Sequence, residues 1–200
     1  IAPVEKQNVP LSILNTFKPE IRGTFISSTN KLNDGSIKTI TYLQGLSSIS
    51  ILGSESKYGQ KVLARLFGLL SRLEIPLVSI SKSAYNQSIL FIVQSEFEQL
   101  FLEEIKSEFV LEIEKGFIGE ITSRSNLALI SAIGISPDFN SLVARRIHDV
   151  LENNGIKSLM FLDDPCSLNI SFIVDTLEVR KTVIVLHEEF FGKSISLPKE

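Results

Sequence analysis

The 200-residue chain holds one cysteine, one methionine, two histidines and no tryptophan. A lone thiol, Cys166, excludes an internal disulfide, and a reducing, cytoplasmic setting is expected. His148 and His187 lie far apart and lack cysteines or carboxylates at ligand spacing, so no metal site is expected and both are given surface or capping roles. Charge is nearly balanced. A net −3 gives no basic field for nucleic acid or an anionic membrane, and neither partner is expected. No apolar run reaches the length of a membrane span. The opening Ile1-Ala2-Pro3-Val4-Glu5-Lys6 lacks the charged-then-apolar order of a signal peptide. Because the first residue is isoleucine, a piece of a longer protein is expected. There is no Gly-rich phosphate cradle and no Ser/His/Asp constellation, so no catalytic residue is assigned. Asp163-Asp164-Pro165-Cys166 is read as a β-turn, and Glu103-Glu104 and Glu188-Glu189 as solvated helix faces.

What the chain has is a repeat. Ala132-Ile133-Gly134 answers Ile51-Leu52-Gly53, and residues 167–174 answer residues 86–93, each pair about 81 residues apart. Two copies at so long a period imply two similar small units rather than a solenoid. The apolar fraction of 44% is enough to give each a core.

Residues 1–35 are punctuated by Pro3, Pro10, Pro19, Gly23 and Gly35, with a short strand expected at 10–15 and loop after it. Residues 36–43 alternate and are β-branched, which predicts a strand. Gln44-Gly45-Leu46 is read as a break before the next strand, 47–52. A 53–59 loop leads to a helix from Gln60 to Leu73, whose Val62, Leu63, Leu66, Phe67, Leu69, Leu70 and Leu73 follow helical spacing. Strands are expected at 77–81 and 88–93 around the turn Ser83-Ala84-Tyr85-Asn86. Ser95 is expected to cap a helix reaching Lys106, and residues 109–113 to form the fourth strand. The second copy reads as strand 127–133, helix 139–152, strands 156–162 and 168–174, and helix 176–191. It lacks a fourth strand, so the extra strand 36–43 is expected to complete it. The fold class is therefore α+β: two ferredoxin-like β-α-β-β-α-β units with antiparallel sheets, helices on one face, and the first unit inserted in the second. The units are 45–115 and 36–44 plus 116–192, flanked by 1–35 and a 193–200 tail.

Specific residues carry a resemblance. Asn15-Thr16-Phe17-Lys18-Pro19-Glu20-Ile21-Arg22-Gly23-Thr24 resembles the segment that ends the kinase domain of aspartate kinases, with Arg22 where a proline is common. Asn169-Ile170-Ser171-Phe172-Ile173-Val174 and Leu186-His187-Glu188-Glu189-Phe190-Phe191 resemble motifs of that family's second ACT domain. The resemblance implies ATP-dependent phosphorylation of L-aspartate by the parent enzyme, in lysine, threonine and methionine biosynthesis. It also implies tandem ACT domains that dimerise and bind an end-product amino acid. The family's Lys-Phe-Gly-Gly kinase segment is absent, so ATP and magnesium belong to the parent, no cofactor is expected in this chain, and residues 1–35 are the end of a kinase domain with its linker.

The same resemblance implies effector contacts from Ser56, Gly59, Val62, Leu63, Leu77, Val78, Ser83, Ala84 and Tyr85, between the loop opening the first helix and the strand after it. Lysine is favoured over threonine, although Val78 and Ala84 stand where lysine-inhibited members carry acids; Glu55 is a possible substitute. From the residues alone, Val62, Leu63 and Leu77 are core in any such fold. A structural oligomerisation module without a working effector site is the alternative. An RNA-binding module of this plan needs exposed aromatics in a basic surface, and Ile89, Leu90 and Phe91 have no Arg or Lys beside them.

Overall fold

A computed structural model describes residues 2–7, 9–21, 23–26, 37–53, 56–83, 88–134, 139–163 and 169–192. Helix α1 (Ala2–Glu5) precedes two short strands, β1 (Leu11–Ile13) and β2 (Thr24–Ile26), which pair antiparallel with each other. The body follows as β3 (Thr39–Gly53), α2 (Ser56–Arg72), β4 (Leu77–Lys82), β5 (Ile89–Gln94), α3 (Glu98–Glu108), α4 (Val110–Glu114), β6 (Ile118–Ile133), α5 (Phe139–Asn153), β7 (Met160–Asp163), β8 (Asn169–Asp175) and α6 (Val179–Phe191). Its six strands form one antiparallel sheet, ordered β4-β5-β3-β6-β8-β7. The α+β class and the antiparallel pairing agree with the sequence expectation.

The two long central strands serve both halves. Residues 46–51 of β3 pair with β5, whereas residues 39–43 pair with 129–133 of β6, which in turn pairs with β8. Each long strand bends at one left-handed residue, Gly45 (φ 75°) in β3 and Asn126 (φ 59°) in β6, one repeat length apart. Glycine meets no Cβ clash there, and asparagine is among the few side chains that tolerate it. The register of β3 against β6 shifts on either side of Leu46, as a bulge requires. The break expected at 44–46 is therefore a bend within one strand: the ladder resumes immediately and no loop intervenes.

Alternation then sorts side chains into three cores. Ile49, Ile51, Phe91 and Val93 face α2 and α3, where they meet Leu66, Leu69, Phe101 and Ile105. Ile130, Ala132, Ile170, Phe172 and Val174 face α5 and α6, where they meet Val143, Ile147, Leu151 and Leu186. The third core is Leu46, Ile92, Leu127 and Ile173, all fully buried. Ile92 and Ile173 each sit between strand neighbours that face helices, so they point to the helix-free side of the sheet. Their full burial follows from the curl at the two bends, which brings the helix-free faces of the halves together.

Both first helices end in the same way. Ile75 N–H donates to Leu70 O (2.9 Å) and Glu74 N–H to Ser71 O (3.3 Å); Ile156 N–H donates to Leu151 O and Gly155 N–H to Glu152 O (both 2.9 Å). These are Schellman closures with Glu74 and Gly155 in the left-handed position. An arginine staple also recurs. Arg65 on α2 reaches Glu108 Oε1 (3.1 Å), Glu112 and the Phe109 ring (4.3 Å), and Arg146 on α5 reaches Glu189 Oε1 (2.6 Å) and the Phe190 ring (4.7 Å).

Several expected elements differ. Residues 110–114 are the helix α4, not a strand: Ile113 N–H donates to Phe109 O (2.9 Å). Helical spacing sets Glu108 and Glu112 side by side under Arg65, which a strand cannot do. The fourth strand of the first half is instead the leading part of β6. Helix α2 starts at Ser56, which places Gly59 inside the helix rather than in the preceding loop. Ser95 does not cap a helix; it opens a 3-10 turn, Ser95–Phe97, and its hydroxyl meets that of Ser47 at 2.8 Å. Residues 24–26 form β2 where loop was expected, and β7 is shorter than the strand expected at 156–162. The Asp163-Asp164-Pro165-Cys166 turn lies outside the described residues beyond Asp163. No helix among the described residues is long and apolar enough to cross a membrane.

Candidate functional site

The expected effector residues converge only in part. Val62 is buried on α2, and Leu63 on α2 and Leu77 on β4 are partly buried against the same core. Gly59 lies in the opening turns of α2, half-buried, and no acidic residue occupies the first turn of that helix. Ser56 is the first residue of α2; its side chain, like Glu55, Ala84 and Tyr85 as a whole, is outside the described residues. Ser83 N–H donates to Ser88 O (2.9 Å) and closes the β4–β5 hairpin below its tip.

Val78 is separated from the others. By alternation Val78, next to Leu77, packs against the third core, and a bulge between Leu77 and Ser79 resets the pattern so that Ile80 joins Leu77 against the core of the first half. Strand β4 is an edge of the sheet, as is β7, and each leaves one side of its backbone unpaired among the described strands.

Two polar clusters went unnoticed in the sequence. Burial alone would raise the Glu98 carboxyl, but hydroxyl donors from Ser47, Ser125 and Ser123 outweigh it and hold the group below the ordinary carboxylate range. The Ser125 hydroxyl donates to Glu98 Oε2 at 2.7 Å, pinning α3 to β6 beside the Asn126 bend. On the equivalent end of β8, the Leu177 N–H and then Arg124 lower the Asp175 carboxyl; Arg124 Nη2 lies 3.2 Å from Asp175 Oδ2. These are satisfied structural networks. The Arg65 and Arg146 staples carry a signal the repeat contains: arginine, glutamate and phenylalanine recur together at the repeat spacing.

Among the described residues, no group of three His, Cys, Asp or Glu side chains is placed to hold a metal. His148 stacks edge-on against Phe161 (5.5 Å) and His187 lies against Phe191 (4.5 Å).

The N-terminal motif forms a turn. Asn15 Oδ1 accepts from Phe17 N–H (2.9 Å), Phe17 projects fully into solvent, and the chain returns through Gly23 to pair β2 with β1.

No family model matches the chain. Among curated proteins it is similar to the bifunctional aspartokinase/homoserine dehydrogenase of Buchnera aphidicola, 25% identical over 191 residues, 96% of this chain and 23% of that protein. It is likewise similar to chloroplastic aspartokinase 1 of Arabidopsis thaliana, 24% identical over 189 residues, 94% of this chain and 33% of that protein. The chain thus spans only about a quarter to a third of the length of these relatives. Among solved structures it resembles the aspartate kinase of Clostridium acetobutylicum, with TM-score 0.83, 20% identity, and 96% and 44% of the two chains covered. The ligand-free regulatory subunit of Thermus thermophilus aspartate kinase matches with TM-score 0.66 and 20% identity, over 78% of this chain and 99% of that one. E. coli aspartokinase III in complex with lysine and aspartate matches with TM-score 0.70 and 18% identity, over 95% and 41%. The resemblance to the regulatory region of aspartokinases is therefore shown, and with it the ferredoxin-like fold.

Proposed function

We propose that this chain is the allosteric region of an aspartokinase, which senses an end-product amino acid and joins two copies of the enzyme, while the phosphorylation of L-aspartate with ATP and magnesium belongs to a kinase part outside it. One observation carries the proposal: the fold matches 99% of a regulatory subunit but less than half of whole aspartate kinases. Residues 1–35 are then the end of the kinase domain and its linker. The exposed Ile13, Leu14, Phe17 and Phe25 support this, because they lie on and between β1 and β2, a pair that belongs to neither half of the large sheet. The pairing of 39–43 with 129–133 supports a first domain (45–115) inserted in a second (36–44 with 116–192).

The effector lies between the opening of α2 and the edge strand β4, and it is an amino acid; of the two effectors the resemblance brings in, lysine comes before threonine. The helix opening suits a carboxylate, through free backbone N–H groups and the dipole. The homodimer joins through the unpaired edges of β4 and β7, with Phe67 exposed on α2. A second reading, an oligomerisation module without a working site, draws on Val78, which packs into the third core rather than beside Leu63 and Leu77.

The test is a thermal melt of the chain with lysine, threonine and methionine, beside light scattering for mass. A ligand at a hundred times its Kd adds about 2.7 kcal/mol, or roughly 5–10 °C for a chain of this size. A shift and a dimeric mass support the sensing reading; a dimer with no shift favours the second; a monomer at every concentration with no shift sinks both.

A further inference from the structure

We infer that Asn154-Gly155 is a site of self-modification, at which the chain converts Asn154 to aspartyl and isoaspartyl forms through a succinimide, and that the closing turn of α5 holds the reaction shut while the second half is folded.

The reaction needs a side-chain amide followed by a backbone nitrogen free to reach it. Asn154-Gly155 is the only Asn-Gly pair in the sequence. Glycine has no side chain to block the approach of its nitrogen to the preceding amide carbon. Asn154 is half-buried and Gly155 exposed, so water meets the pair. The first half makes the same helix closure with Leu73 and Glu74, which supply no amide.

The fold restrains both reactants. Asn154 Nδ2 donates to Val150 O at 2.8 Å, which ties the amide to the preceding turn of α5. Gly155 N–H donates to Glu152 O and Ile156 N–H to Leu151 O, both at 2.9 Å, with Gly155 held at φ 66°. Lys181 Nζ donates to Asn154 O at 2.6 Å and fastens the turn to α6. Attack therefore waits for this turn to open, an event less costly than global unfolding.

Once it opens, the Gly155 nitrogen loses its proton to solvent base and bonds to Cγ of Asn154. The Cγ–Nδ2 bond breaks, and ammonia leaves. Water then opens the ring. Cleavage at Cγ restores the ordinary backbone with an aspartate, and cleavage at the main-chain carbonyl leaves the chain running through Cγ as isoaspartate. The isoaspartyl link adds a methylene to the backbone. Gly155 and Ile156 can then no longer both reach their acceptors on α5, and Ile156, buried beside Leu151, loses its anchor.

The test incubates the 200-residue chain in mildly alkaline buffer, folded and in urea, and follows the amide-to-acid mass gain and isoaspartate content of the digested peptides. In urea, Asn154 should convert while Asn126 and Asn169, followed by Leu127 and Ile170, remain amides. In the folded chain, conversion at Asn154 should be at least about tenfold slower, by the population of the open turn. Isoaspartyl chains, separated and returned from urea, should melt below Asn154→Asp taken through the same steps, because that variant has the charge without the extra methylene. No conversion of Asn154 in urea overturns the site. Equal rates folded and in urea overturn the restraint. Equal melting of the isoaspartyl chain and Asn154→Asp overturns its effect on the closure.

Discussion

Leu46 and Leu127 are direct partners across β3 and β6, and they are also equivalent residues of the two repeats. The pseudo-twofold axis that relates the halves therefore passes between these two side chains, both fully buried in the third core beside Ile92 and Ile173. Leu46→Ala and Leu127→Ala should each lower the unfolding free energy by about 2–5 kcal/mol. Because the pair is in contact, the double variant should depart from the sum by roughly 0.5–3 kcal/mol. Urea unfolding of the four proteins measures both quantities, and strict additivity would contradict the shared core.

The two arginine staples should differ in weight. Arg65 donates from Nε and Nη2 to Glu108 Oε1, from Nη2 to the Glu108 carbonyl and from Nη1 to Glu112, and it is less exposed than Arg146. Arg65→Ala is expected to cost about 1–2 kcal/mol and Arg146→Ala under about 1 kcal/mol. Arg65→Lys should recover little, since an ammonium cannot reproduce the planar fork. Equal losses in chemical denaturation would count against the geometric argument.

The acid limb of stability should trace to Glu98 and Asp175. Both carboxyls are lowered in the fold, Glu98 by the serine hydroxyls against its burial and Asp175 by the Leu177 N–H and Arg124. A depressed carboxyl contributes stability above its unfolded pKa, about 4, and loses it as pH falls through the lower folded value. Stability should thus decline below about pH 4, with a shallower decline in Glu98→Gln. Unfolding curves at pH 3, 5 and 7 decide this; an unchanged slope in that variant removes Glu98 from the account.

Gly23 cannot carry a side chain. A Cβ built there falls 1.9 Å from the Ile13 carbonyl oxygen. Gly23→Ala should open the β1–β2 pair and speed proteolysis between residues 9 and 26. The cooperative melt of the large sheet should move by no more than about 0.5 kcal/mol, because β1 and β2 take no part in that sheet.

At the end of α2, Glu74 holds a left-handed conformation (φ 53°) that Gly155 holds in the second half. Glu74→Gly should stabilise by about 0.5–1 kcal/mol, the steric cost of the Cβ outweighing the added freedom of the unfolded chain. A lower melting temperature for this variant would refute it.

Much of this was legible in one dimension, for identifiable reasons. The spacing of Val62, Leu66, Leu69 and Leu70 on α2, and of Val143, Ile147 and Leu151 on α5, is the spacing their burial requires. The repeat shows in Ile89, Phe91 and Val93 against Ile170, Phe172 and Val174 because both triplets face helices. The place of Val62, Leu63 and Leu77 in the core was likewise visible as an apolar pattern.

The sequence by itself determined the class of fold, the two copies, their helix-facing sides and the lack of any carboxylate on α2 and β4, since each is a matter of residue type and local period. The tertiary structure alone decided that Gly45 and Asn126 bend strands rather than end them, because only a paired neighbour tells a bulge from a turn. It also decided that residues 110–114 are helical, in an arrangement where Arg65 from α2 binds Glu108 and Glu112 together. Finally it put Ile80 on the same face as Leu77: a one-residue bulge on an edge strand reverses the faces of a period-two pattern, and that register is set by the partner strand β5.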